Sequence, residues 1–453
     1  MYHPKKYHIH FVGIGGIGMS AIAEILLLEG YKVSGSDISR TPLTERLSKA
    51  GATIFYDHKE HHIGDADVLV YSSAINSDNC EITFANNNNI PVIHRSEMLA
   101  EIVRQKYSIA ITGSHGKTST TAIVGEILSQ ADMNPGIIVG GILKNISTNA
   151  KSGNGNFVVL EADESDGSLL SLTPSIAIIT NVDKEHMDHY GSIDKIHQAF
   201  LTFANLPPFY GATVLCADDP VLNSFIPKLK GKYLTYGIEN SADIMAENIK
   251  QLTPFSMTFD LVYQKKIIDK IDLNLAGYHN VLNALASIVT GIVLDIPFDI
   301  QKKALKHIKG VQRRMDFKGE RGNVIVMDDY AHHPTEIKAT LKAIKDGWSD
   351  HNLCVLFQPH RYSRTKDLFN QFVNAFDLAD QVVILPVYSA GESPIENINS
   401  EKLWQAMKTI LSNRVSYAET FENAIEQVDI KQKTLLLTLG AGDIWKAGEL
   451  FLC

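Results

Sequence analysis

Ser108-Ile109-Ala110-Ile111-Thr112-Gly113-Ser114-His115-Gly116-Lys117-Thr118-Ser119-Thr120-Thr121 is the stretch whose reading decides the fold. A short apolar run enters a glycine-punctuated turn, and a Lys-Thr pair opens a helix running through Ala122 to Leu128. That order describes a phosphate-binding loop. Backbone N–H groups of such a turn converge on phosphate oxygens, and the helix N-terminus adds partial positive charge. Lys117 would reach the outer phosphates as a point charge, and the Thr118 hydroxyl would ligate Mg²⁺. The spacing, Gly113 to Thr118, is the short GxxGK[TS] rather than the full GxxxxGK[ST], so the flanking strand and helix carry the reading. A nucleoside triphosphate is the expected ligand of Gly113, Ser114, His115, Gly116, Lys117, Thr118 and Ser119.

Upstream, residues 7–12 form an apolar strand that runs into Gly13-Ile14-Gly15-Gly16-Ile17-Gly18, a GxGxxG turn. A helix from Met19 to Glu29 follows, stopped by Gly30, and a second strand over 31–35 ends near Asp37. An acidic residue about 20 positions past the glycine turn is what a ribose-binding Rossmann unit requires. Val68 to Tyr71 is a later strand, with Ser72 and Ser73 at its carboxyl end, where open α/β sheets place ligands. Gly15, Gly16, Ile17, Gly18, Asp37, Ser72 and Ser73 are therefore candidates for a second nucleotide site, for a nicotinamide or flavin dinucleotide or for another nucleotide, with a turn that serves packing alone as the alternative. Asp57-His58-Lys59-Glu60-His61-His62 reads as a solvated surface helix, with no second cluster to make it a metal site. Val92 to Arg95 is a last strand of this domain, and a helix from Ser96 to Lys106 leads to the phosphate loop.

Downstream, Phe157-Val158-Val159-Leu160 delivers Glu161-Ala162-Asp163-Glu164-Ser165-Asp166, the shape of a strand that hands carboxylates to Mg²⁺. Ile176 to Thr180 ends at Asn181-Val182-Asp183-Lys184-Glu185-His186. Strands ending in Lys-Thr, Glu and His would gather those groups along one edge of a parallel sheet. Period-two alternation between Ile249 and Leu275 predicts antiparallel strands. A helix starting at Gly277 carries Asn280 and Asn283 one turn apart, and amides both donate and accept, which suits an adenine edge. After Gly310, strands at 324–327, 353–357, 382–385 and 434–438 deliver Asp328-Asp329-Tyr330-Ala331-His332-His333, Gln358-Pro359-His360-Arg361-Tyr362-Ser363-Arg364 and Gly440-Ala441-Gly442-Asp443. Strand ends so rich in Asp, His and Arg imply a site, and arginine forks match carboxylates and phosphates.

At 453 residues the chain divides into about three domains of ordinary size. Boundaries fall at 1–106, 107–310 and 311–453, giving an α/β protein with Rossmann-like outer domains around a phosphate-loop domain. A net charge of −9 argues against general nucleic-acid binding, which needs a basic face. Cys80, Cys216, Cys354 and Cys453 are scattered and fit neither a disulfide framework nor a zinc site. The N-terminus reads as a strand and turn rather than a signal peptide, and no apolar run of about 18 residues predicts a membrane span. A cytoplasmic location is expected, with monomer and homodimer both open.

Seven stretches together resemble the Mur ligase family over nearly the whole chain. They are Gly13 to Ser20, Thr112 to Thr121, Glu161 to Asp166, His186-Met187-Asp188, Gly277 to Asn283 with Arg313-Arg314, Asp328 to Glu336, and Gln358 to Thr365. The resemblance implies an N-terminal domain for a UDP-sugar, a central ATPase domain and a C-terminal domain that closes over the site. It implies an ATP-dependent ligase joining L-alanine to the lactyl carboxylate of UDP-N-acetylmuramate through an acyl phosphate, in peptidoglycan precursor synthesis. By the same resemblance, Thr118 and Glu161 hold one Mg²⁺, and Glu161 with His186 a second. Asn280 and Asn283 would face adenine, with Arg314 and Asp329 closing on the nucleotide. His333, His360, Arg361 and Arg364 would line the amino-acid side, with Lys117, Glu161, His186, Arg364 and His333 as the catalytic set.

One departure stands out. Where several relatives carry a carbamylated lysine downstream of the metal-binding histidine, this chain has Phe200-Leu201, so the second metal needs another arrangement. The nearest rival is a recycling ligase that attaches a whole tripeptide to the same UDP-sugar, and Arg364 in Gln358 to Thr365 favours the alanine reaction. A GTPase would need Asn-Lys-x-Asp, and Asn181-Val182-Asp183-Lys184 has the wrong order. A nicotinamide oxidoreductase would leave Lys117, Thr118 and Glu161 without a use.

Overall fold

Three sheets carry the chain in the computed structural model, which describes residues 6–453 except positions 73, 77, 105, 147 and 166. The first joins β1 (His8–Val12), β2 (Lys32–Ser36), β3 (Thr53–Phe55), β4 (Val68–Tyr71) and β5 (Val92–His94) in the order β3-β2-β1-β4-β5. All its pairings are parallel. Every residue of β1 is buried, as in a parallel sheet covered on both faces. The helix Ile17–Leu28 packs Met19, Ala21, Ile22, Ile25 and Leu26 inward. It starts two residues before the predicted Met19 because Gly16 caps it in extended backbone. Gly30, at φ +83°, stops it as expected.

The second sheet contains β6 (Tyr107–Thr112), β7 (Gly136–Leu143), β8 (Thr148–Lys151), β9 (Phe157–Glu161), β10 (Ile176–Ile179), β11 (Ala212–Cys216), β12 (Tyr233–Gly237), β13 (Ile244–Thr253), β14 (Ser256–Tyr263) and β15 (Lys266–Leu273). Its order is β15-β14-β13-β12-β11-β10-β6-β9-β7-β8. The third sheet runs β16-β17-β21-β18-β19-β20, from β16 (Asp316–Arg321), β17 (Val324–Asp329), β18 (Asn352–Phe357), β19 (Gln381–Ile384), β20 (Val415–Tyr417) and β21 (Thr434–Leu439). Alternate residues of its central strands feed two cores. Met327, Val355 and Leu437 meet Ile337, Leu341 and Phe372 on one face, while Val326, Leu356 and Leu436 meet Ile444, Ala447 and Phe451 on the other.

What positions the sites is strand order. In the first sheet β1 lies between β2 and β4, and in the second β6 lies between β10 and β9, all parallel. Each is a switch point, where loops leaving adjacent strands in opposite directions open a crevice for ligand. By packing, the chain forms two compact units: residues up to 247 with 260–269 and 282–309, and 248–259 with 270–281 and 310–453. Among the described residues no helix is long and apolar enough to cross a membrane.

Candidate nucleotide and metal site

The loop after β6 uses left-handed backbone at Gly113 (φ +131°) and Gly116 (φ +84°), and Gly116 caps the helix Lys117–Gln130. A non-glycine residue would be strained at either position. The Lys117 ammonium donates to the Gly113 and Ser114 carbonyls at 2.5 and 3.1 Å and to Glu164 Oε1 at 2.7 Å. Burial works to lower its pKa, but the Glu164, Glu161 and Glu185 carboxylates outweigh that and raise it. Thr118 Oγ1 donates to Glu161 Oε2 at 3.0 Å, and the Gly140 N–H reaches the same oxygen at 2.8 Å. The His115 N–H donates to Asn181 Oδ1 at 2.8 Å, and the Asp183 N–H donates to Ser114 Oγ at 2.7 Å. Ser119 is half-buried in the first helical turn. From the far side Asn283 Oδ1 accepts from Thr120 Oγ1 at 3.2 Å, and it lies 2.5 Å from where a side chain on Gly116 would begin.

His186 belongs to the loop after β10. Its Nε2 lies 3.5 Å from Glu164 Oε1 and 3.9 Å from Glu185 Oε2. Burial pulls its pKa down, but the Glu164 carboxylate more than compensates, and the net shift is upward. The carboxylates nearest its ring are Glu164 and Glu185, while Glu161, expected to share a cation with His186, is held by Thr118 and the Gly140 amide.

At the first switch point, Gly13 and Ile14 donate their N–H groups to the Ser36 carbonyl at 2.8 and 3.0 Å. Asp37 Oδ2 accepts from the Gly15 N–H at 2.8 Å, so the acidic residue expected at a ribose folds against the glycine turn itself. Gly18 lies under Arg95: a Cβ there would sit 2.7 Å from Arg95 Nη1. The guanidinium, on the helix after β5, also reaches Asp163 Oδ2 at 3.5 Å. Ser72 Oγ is 4.0 Å from the Cβ position of Gly13, Gly16 and Ile17 complete the turn, and Ser73 lies outside the described residues. The His58–His62 stretch is not the solvated helix expected. It makes a single 3-10 turn, Glu60–His62, with His62 buried and stacked on Phe55. A partner cluster exists after all, brought by β1 and the helix Cys80–Asn87. The buried Glu81 carboxylate takes His58 at 2.8 Å, Ser36 at 2.6 Å and His10 at 3.3 Å.

The second unit holds the C-terminal site residues. Asn280 Nδ2 donates back to the Ala276 carbonyl at 2.8 Å. Asp329 accepts from the Met315 and Ala331 N–H groups at 2.7 and 2.8 Å, and burial pushes its carboxyl up to about 6 against the pull of Arg314. Arg314 lies over the Tyr330 ring and 3.6 Å from Glu336. His333 caps the helix Pro334–Gly347 and is 1% exposed. His360 stacks on Tyr388 and meets Arg364 Nη1 at 3.2 Å, and burial with the Arg364 and Arg361 charges pulls it down to about 4. Arg361 reaches Glu392 at 4.0 Å.

Three family models match in succession: the Mur ligase family catalytic domain over residues 8–107, the Mur ligase middle domain over 111–291, and the Mur ligase glutamate ligase domain over 313–442. The chain belongs to the Mur ligase family. It is 50% identical over 449 residues to the UDP-N-acetylmuramate–L-alanine ligase of Desulfosudis oleivorans, covering 98% of both chains. The crystal structure of the UDP-N-acetylmuramate-alanine ligase of Thermotoga maritima superposes with a TM-score of 0.85, at 31% identity and 98% coverage of both chains. A murein peptide ligase from Psychrobacter arcticus shares the fold, with a TM-score of 0.72 at 22% identity and 98% coverage of both. In this Mur ligase the first unit brings together Lys117, Thr118, Glu161 and Asn283, and separately the turn at Gly15–Gly18 with Asp37 and Ser72. Glu185 and Arg95 carry no motif signal. Only their place at the carboxyl ends of β10 and β5 marks them.

Proposed function

We propose that this chain joins L-alanine to UDP-N-acetylmuramate at the expense of ATP, within domains spanning 1–106, 107–310 and 311–453. The observation that carries the reading is half-identity, end to end, with a ligase of that name. The loop supports it: Lys117, at the start of the helix Lys117–Gln130, offers a cation and a helix N-terminus to phosphate, and Thr118 with Glu161 offers two hard oxygens to Mg²⁺. Mg²⁺ bound there would neutralise phosphate charge. A free carboxylate is a poor electrophile, so one lactyl oxygen attacks the γ-phosphorus and ADP leaves. The alanine nitrogen then attacks the acyl phosphate carbonyl, loses a proton, and phosphate departs. Each step concentrates negative charge, so the protein's contribution is positioning and cations. Arg95, spanning Gly18 and Asp163, places a cation between the turn that would hold the diphosphate and the strand end where the carboxylate must react. Asn283 beside the loop would meet the nucleotide, and His360 with Arg361 and Arg364 offers donors for the alanine carboxylate. The reaction needs only soluble substrates of the cytosol.

Phosphate release with UDP-N-acetylmuramate and a panel of amino acids tests the reading. L-alanine should give the highest kcat/KM, and the tripeptide essentially none. Preference for the tripeptide would replace this reading with the recycling reaction.

A further inference from the structure

We propose that His10 is a positioning residue for the glycine turn, held as an imidazolium inside the first domain by a hydrogen-bonded chain from Asp65 to Glu81. Asp65 Oδ1 meets His8 Nδ1 at 2.8 Å, and His8 Nε2 meets Ser34 Oγ at 2.8 Å. The same Ser34 Oγ meets His10 Nδ1 at 2.8 Å, and His10 Nε2 meets Glu81 Oε1 at 3.3 Å. Strand pairing assembles the chain, because β1 carries both histidines and β2 sets Ser34 opposite His10. Both ends are carboxylates. Hydrogen bonds from Lys32 and His8 hold the Asp65 carboxyl down to about 2. Burial works to raise Glu81, but its bonds with His10, Ser36 and His58 keep it lowered. Carboxylates only accept, so each histidine must turn an N–H outward, to Asp65 or to Glu81. The two ring nitrogens facing Ser34 would then both be bare acceptors, and one hydroxyl has a single hydrogen to give. The second contact is met only if one ring carries an extra proton. Burial and the Lys32 charge lower the pKa of His8. His10 lies fully buried against Glu81, where a buried charge needs its counter-ion, so His10 takes the proton. Lys32 and Asp67 face the outer end of the chain, and His58, His62 and Asp57 face the inner end. Glu81, kept charged, binds the Ser36 hydroxyl at 2.6 Å, and the Ser36 carbonyl takes the Gly13 and Ile14 amides. His10 thus acts on the turn through Glu81 and Ser36. Its effect on substrate rests on the ligase reading, in which this turn holds the UDP-sugar.

Nitrogen-15 histidine spectra of the full chain, titrated through neutral pH and assigned with His8→Gln and His10→Gln, read the charge directly. His10 should show the two protonated nitrogens of an imidazolium at neutral pH. Asp65→Asn, at a side chain 76% exposed, supplies an amide that can donate to His8 and frees His8 to donate to Ser34. The proton should then leave about one pH unit lower, roughly a tenfold loss of proton affinity. A neutral His10 in the wild-type chain overturns the proposal, and so does a midpoint unmoved in Asp65→Asn. His10→Gln keeps a donor for Glu81 but no charge. Its KM for UDP-N-acetylmuramate should rise at least about tenfold, with KM for ATP and kcat within about twofold of wild type. An unchanged KM for the UDP-sugar, or an equal rise in both KM values, overturns the positioning role. An imidazolium at His10 without phosphate release on L-alanine would leave the charge standing and overturn the ligase reading instead.

Discussion

Lys117 shows how a single residue can be placed correctly by sequence and still have partners that only the fold supplies. Its backbone position follows from the GxxGK[TS] turn, but its ammonium rests on two loop carbonyls and on Glu164, 47 residues away in sequence. Removing it takes a charge from the phosphates and leaves Glu164 buried without its counter-ion. Lys117→Ala should therefore lower kcat/KM for ATP by at least about a hundredfold, roughly 3 kcal/mol of transition-state stabilisation. Steady-state kinetics with saturating L-alanine measures this, and near-normal turnover would mean the loop is only a structural turn. Glu81 is the converse case. Burial would raise its pKa, but His10, Ser36 and His58 hold it lowered, so the carboxylate stays charged inside the first domain. Through Ser36, whose carbonyl takes the Gly13 and Ile14 amides, that charge is tied to the glycine turn.

At the scale of elements, the helix Lys117–Gln130 depends on its cap. Gly116 has φ +84°, and a Cβ there would start 2.5 Å from Asn283 Oδ1. The left-handed conformation alone costs a non-glycine residue about 1–2 kcal/mol. Moving Asn283 would also break its bond with Thr120. Gly116→Ala should lower the melting temperature and weaken binding of an ATP analogue in the same sample, readable by a thermal melt with and without the analogue. An unchanged melt and unchanged shift would show that the cap is not needed. Asn283→Ala in the same background should recover part of the lost stability, because it removes the clash but not the backbone strain.

At the scale of the whole molecule, the second unit carries an uneven load of buried titratable groups. Burial, with the Arg314 charge, lowers His279 to about 4, and burial with Arg364 and Arg361 lowers His360 to about 4. Burial also lowers His332 well below the usual histidine value. Between pH 6.5 and 4 the unfolded chain binds protons that these folded histidines refuse, so stability falls as pH falls through that window. Asp329, raised to about 6 by burial, acts in the opposite direction between pH 6 and its unfolded 3.8. Burial also raises the neighbouring Asp328, so three lowered histidines stand against two raised carboxyls, and the histidines leave a net loss on acidification. The melting temperature should drop from pH 7.5 to pH 5, and His279→Asn should shrink the drop. A midpoint that rises on acidification would show that the carboxyls dominate.

The sequence alone determined what is local. Short apolar runs ending in polar or turn residues defined β4, β9 and the phosphate loop almost to the residue, because period and punctuation are properties of neighbours along the chain. The family likewise followed from motif order. Tertiary structure decided which distant side chains meet. It turned Glu161 to Thr118 and gave His186 to Glu164 and Glu185. It drew His58 out of solvent onto Glu81 and laid Arg95 over Gly18. Each of these pairs is set by strand order in a parallel sheet, where adjacent strand ends come from remote stretches of chain. No spacing along the sequence carries that information.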